Sequence, residues 1–156
     1  LAGVLPTIRS RCVSFAVAPV SPADCTRYCA AQGVDKKTAA LYSELFDGHI
    51  GTVLAVARDE ARAAQVEKAL ELARAAAARD SYTAAVLLAA YEKDKAGAAA
   101  LLTDFRAVAA AGPRARVQGT QARQAVRLAD AALQRLGAQV NPKVVLSVFA
   151  AKLRTV

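Results

Sequence analysis

Apolar residues recur along most of this chain at three- and four-residue intervals, the spacing that lays them on one face of an α-helix. Val66, Ala69, Leu70 and Ala73 form one such stripe, on a helix predicted from Asp59 to about Arg79. Ala84, Leu88 and Tyr91 continue the period, and Leu101, Leu102, Phe105 and Val108 resume it up to Gly112-Pro113. Val126, Ala129, Leu133 and Leu136 define the next helix, and Val145, Val148, Phe149 and Leu153 are expected to face inward on the last. Before Asp59 the segments are shorter. Leu41, Tyr42, Leu45 and Phe46 share a face, and Val53, Leu54 and Val56 mark a helix from about Ile50 to Arg58.

Punctuation agrees with this period. Ser21-Pro22-Ala23-Asp24 supplies an N-cap oxygen, a proline at the first helical position and an acid near the positive helix start. Gly33, Gly48 and Gly137 read as stops, and Asp35, Asp80-Ser81 and Asn141-Pro142 as new starts. The polar run Glu92-Lys93-Asp94-Lys95 before Gly97 predicts a break, and residues 113–120 a basic loop. Residues 1–19 read as extended. Leu5-Pro6 disfavours helix before it, and Val13, Phe15 and Val17 alternate as in a short strand. The expectation is a short extended lead, three short helices and four or five longer ones, with a boundary near Asp59.

Composition sharpens the fold class to all-α. The hydrophobic fraction is 55%, much of it alanine, while aromatics make up 5% and tryptophan is absent. That profile suits close-packed helices better than a β-sandwich. No uninterrupted apolar run reaches the ~18 residues that would mark a membrane span. Methionine is absent even from position 1, so the chain reads as a piece of a longer protein. The net charge of +8 favours acidic partners without bearing on fold. Arg114, Arg116, Arg123, Arg127 and Arg135 are the densest cations. Lacking interleaved aromatics, they read as a solvated helix face, with a phosphate-facing stripe as the alternative.

Candidate chemistry is sparse. Cys12, Cys25 and Cys29 cannot all pair, which argues against a disulfide framework and fits a reducing cytoplasm. Cys25 and Cys29 fall i,i+4 on one helix, but a metal would need two further ligands, so no metal site is expected. His49 is the single histidine and has no nameable orienting partner. Carboxylates such as Glu67 and Glu71 sit near Lys68 and Arg74 at helix-surface spacing. No glycine-rich loop followed by Lys-Ser or Lys-Thr occurs, so no nucleotide cradle, cofactor site or enzyme activity is expected in this chain.

One segment is more specific. Leu5-Pro6-Thr7-Ile8-Arg9-Ser10-Arg11-Cys12 resembles the corresponding segment of bacterial clamp-loader AAA+ subunits of DNA polymerase III. In that family the Ser-Arg-Cys triplet presents an arginine finger to ATP held by the neighbouring subunit. The resemblance makes Arg11 the finger acting in trans, flanked by Ser10 and Cys12. An always-charged planar fork of donors suits a γ-phosphate. It also implies an organisation: residues 1–19 as the end of a AAA+ domain, 20–58 as a three-helix lid, and 59–156 as a helical collar that joins sister subunits. Tyr91-Glu92-Lys93-Asp94-Lys95 and Asn141-Pro142-Lys143 resemble collar features less specifically.

Within the family, ATP-hydrolysing gamma/tau subunits carry a lid arginine that senses their own nucleotide. Here the run is Gly48-His49-Ile50-Gly51-Thr52-Val53-Leu54, with glycine at that place. The pattern resembles the non-hydrolysing delta prime branch, with gamma/tau as the alternative and an unrelated basic helical DNA-binding domain as a third reading. The implied partners are gamma/tau and delta through the collar, and the sliding clamp and primed DNA through the assembled loader, without membrane association.

Overall fold

The computed structural model describes residues 11–13, 20–111 and 119–154. Among the described residues there are eight helices and no strand: α1 (Pro22–Ala31), α2 (Lys36–Leu45), α3 (Ile50–Arg58), α4 (Glu60–Ala78), α5 (Ser81–Ala89), α6 (Lys95–Ala110), α7 (Gly119–Gly137) and α8 (Pro142–Leu153). Among the described residues the regular structure is all helical, as the periodicity predicts. The strand expected through Phe15 and Val17 lies outside the described residues, as do Ser10 and the basic residues Arg114 and Arg116. Residues 119 and 120, expected at the end of the basic loop, already belong to α7.

Helix starts are set locally. The Ser21 hydroxyl accepts from the Asp24 amide, and the Asp35 carboxylate accepts from the Lys37 and Thr38 amides. Asp59, Asp80, Asp94 and Asn141 cap α4, α5, α6 and α8 in the same way. Each satisfies an amide that has no partner inside its helix. Gly48, between α2 and α3, has φ +71° and is buried. A Cβ there would lie 1.8 Å from the Val20 carbonyl oxygen, so both backbone conformation and space require glycine.

The first three helices pack on one another, and α3 adjoins α4 through the single residue Asp59. The other five form a closed ring of pairwise contacts: α4 touches α6, α6 touches α7, α7 touches α8, α8 touches α5, and α5 returns to α4. The expected stripes lead to this core. Val66, Ala69, Leu70 and Ala73 of α4 are buried, as are Leu101, Leu102, Phe105 and Val108 of α6. Phe105 meets Phe149 of α8 edge to face, with ring centroids 5.4 Å apart. Alanines buried on α4, α6 and α7 let the helix backbones approach closely.

Two features depart from the sequence pattern. Val148, expected to face inward, is exposed on the outer side of α8, while Leu146 is buried instead. The run Val144-Val145-Leu146-Ser147-Val148-Phe149 is apolar almost all round, so periodicity alone does not select the face. Asp104 is the second departure. It lies in the core at 3% exposure, where an aspartate on a helix would be expected at the surface.

Candidate functional site

The expected finger lies at the start of the described chain. Arg11 and Cys12 are exposed, in a turn ahead of α1, and Cys12 is a free thiol. Their neighbour Ser10 lies outside the described residues. Arg11 is therefore displayed to solvent.

Gly51 occupies the second position of α3, exposed, and beyond its own helix backbone and chain neighbours nothing among the described residues comes within 4 Å of the place a Cβ would take. A longer side chain would fit there without strain. His49 precedes α3, and its Nδ1 donates to the Phe46 carbonyl oxygen at 2.8 Å. That bond fixes the tautomer and ties the ring to its own turn. Neither Arg11 nor a carboxylate shares a bond with His49, so no acid–base pair forms around it among the described residues.

Cys25 and Cys29 are fully buried one helical turn apart, with sulfurs separated by 4.0 Å. Burial pushes the Cys29 thiol up from its ordinary range, and the hydrogen bond with Cys25 adds to this. A thiol held protonated is a poor nucleophile and a poor metal ligand. Among the described residues, no group of three histidine, cysteine, aspartate or glutamate side chains converges as a metal site.

A groove of about 590 Å³ runs between the start of α1, the end of α2 and the end of α6. Pro22, Leu45, Ala107 and Ala111 line it with Glu44 and Asp47. Its chemistry is apolar wall and carboxylate, with no nucleophile or imidazole among those lining residues. On α7, Arg123, Arg127 and Arg135 are all exposed, and Arg123 and Arg127 share a face at i,i+4. Asp130 of the same helix is bound instead by Arg106 of α6, at 3.0 Å.

Sequence reasoning missed the ion pair of α4 and α6. The two terminal guanidinium nitrogens of Arg62 donate to Asp104, Nη1 to Oδ2 and Nη2 to Oδ1, the latter at 2.6 Å. The bond to Asp104 raises the Arg62 guanidinium above its ordinary value. Its partners lie 42 positions apart, far beyond the i,i+4 spacing that local pattern reveals. Also missed were the outward apolar residues Tyr82, Val86, Val144 and Val148, for which the only signal was an excess of apolar residues on short helices.

Comparison with protein-family models, with curated proteins and with solved structures gives no match. Among the described residues, no helix is long and apolar enough to cross a membrane.

Proposed function

We propose that this chain is the lid and collar part of a clamp-loader subunit of the non-hydrolysing, delta prime kind, acting in DNA replication in the cytoplasm. The observation that carries the reading is the run Leu5 to Cys12, in the order of the clamp-loader finger segment, with Arg11 exposed at its end. Arg11 reaches the γ-phosphate of ATP held by an adjacent subunit and stabilises charge as the phosphoryl group leaves. The chain binds no cofactor and catalyses no reaction of its own. Helices α1–α3 are the lid, and the ring of α4–α8 is the collar that joins gamma/tau and delta into the loader. The assembled loader then places the sliding clamp on primed DNA. Gly51 supports the non-hydrolysing branch, since its site on α3 offers no cation to a phosphate.

The test is Arg11→Ala in the loader assembled with its sister subunits. Finger arginines in other NTPases contribute about 10³-fold or more to turnover, so the one site served by Arg11 should fall nearly silent in DNA-stimulated hydrolysis. Assembly on size-exclusion chromatography should persist, because Arg11 lies outside the collar. Unchanged hydrolysis at every site would exclude the finger role.

A further inference from the structure

The charge of this chain is unevenly placed. From Leu1 to Asp94, eleven lysines and arginines are balanced by eleven carboxylates, whereas from Lys95 to Val156 the count is ten against two. The whole excess of +8 therefore belongs to the stretch that holds α6, α7 and α8. Its two carboxylates are already matched: Asp104 lies buried against Arg62, and Asp130 is bound by Arg106. Asymmetry of this kind between the parts of a chain points to contact with nucleic acid or a membrane surface. Helix α7 is where the free cations line up. Ala125, Ala129, Ala132 and Leu136 turn one side of it into the core. On the other side Thr120, Arg123, Gln124, Arg127, Gln134 and Arg135 are exposed, and at 100° per residue they fall within an arc of about 120°. Among the described residues, none of the three guanidinium groups has a hydrogen-bond or ion-pair partner.

The occupant of this face is limited by what the face lacks. No large apolar side chain of α7 is exposed. A protein interface is built around an apolar centre, and a membrane-surface helix around an apolar face, so neither partner is offered its main contact. The aromatic residues from Lys95 onward, Phe105 and Phe149, are both buried, which leaves no ring on which unpaired bases would stack. Phosphate requires neither. An arginine offers it a charged planar fork, and glutamine and threonine donate to its oxygens from the positions between. At a rise of 1.5 Å per residue, Arg123 to Arg135 span about 18 Å, a length over which a duplex carries about ten charges. We infer that the exposed face of α7 binds the phosphate backbone of a nucleic-acid duplex without reading its sequence. The face is remote in role from the finger, and its test does not involve Arg11.

The probe is a fluorescein-labelled DNA duplex of about 20 base pairs, titrated with the whole chain while anisotropy is read at several salt concentrations. Three phosphate contacts predict a log–log salt slope of about −2.7 or steeper, an affinity loss of about 40-fold between ~50 and ~200 mM salt. Arg123→Ala combined with Arg127→Ala should make that slope shallower by about 1.8 and weaken binding about tenfold or more at the lower salt. Helix content should hold, since both positions are exposed and alanine favours a helix. Arg123→Lys combined with Arg127→Lys should keep the slope, because the charge is kept. Lys36→Ala combined with Lys93→Ala removes the same charge from exposed positions in the balanced part, and should change binding less than about twofold. No binding at the lower salt, a slope that the arginine pair leaves unchanged, or an equal loss from the lysine pair would overturn the inference. So would tighter binding of a single strand of the same length, of polyglutamate or of phosphatidylserine vesicles. The occupant would then be unpaired nucleic acid, an acidic protein or a lipid surface.

Discussion

Removing the Asp104 carboxylate leaves the Arg62 guanidinium without the fork it was placed to meet. Asp104→Ala should destabilise the chain by about 1–3 kcal/mol in urea unfolding, because a two-pronged charged hydrogen bond is lost while the part-buried Arg62 keeps some access to water. Replacing both partners by apolar residues of similar volume should recover much of that loss. The thiols give a second residue-scale expectation. Cys12 is exposed, whereas Cys25 and Cys29 are enclosed and Cys29 is held protonated, so a thiol reagent should label Cys12 rapidly. The other two should react only as the chain unfolds, and fast labelling of all three would contradict the packing of α1. The carboxylates of Asp35 and Asp80 are held below their ordinary value by hydrogen bonds with Thr38 and Thr83. A lowered folded value contributes stability above the unfolded pKa of about 3.9, and that contribution fades as pH falls through the folded value. Melting temperature should therefore drop on acidification below about pH 4, and Asp80→Ala should flatten part of that drop.

At the scale of the element, short-range signals were readable and long-range ones were not. The caps at Ser21, Asp35, Asp80 and Asn141 were legible because each bonds an amide two or three positions away. The stripes of α4 and α6 were legible because each has a polar side to contrast with. Helix α8 lacked that contrast, and the burial of Val145 and Phe149 rather than Val148 is decided by where α5 and α7 lie. Burial of Asp104 is likewise invisible without Arg62. For the proposed finger, the order of residues is the whole signal: the segment before Arg11 resembles a known string, and one chain does not display where it would meet a neighbour. Phe105 tests the packing of α6, whose ring fills the centre against Phe149. Phe105→Ala should cost about 3–5 kcal/mol, read from the denaturation midpoint at unchanged slope.

Across the whole molecule, the buried residues of α1–α3 and those of the five-helix ring form one continuous hydrophobic cluster. Lid and collar, as proposed, therefore share a core in spite of their separate roles. Circular dichroism and tyrosine fluorescence should report the same unfolding midpoint, since Tyr42 lies in α2 and Tyr91 beside α6. Two separated transitions would show that the division near Asp59 is also a division in stability.

Asp59 itself ends α3 and begins α4, with φ −113° and ψ 106°, and its carboxylate holds the Arg62 amide. A joint of one residue has two soft torsions and no slack. Pull on α3 is thus delivered to α4 as torque rather than absorbed as loop extension, and the next turn of α4 carries Arg62, which grips α6 through Asp104. The three-helix unit is geared to the ring. A glycine inserted after Asp59 would slacken that joint and leave the shared core as the remaining coupling between the two parts.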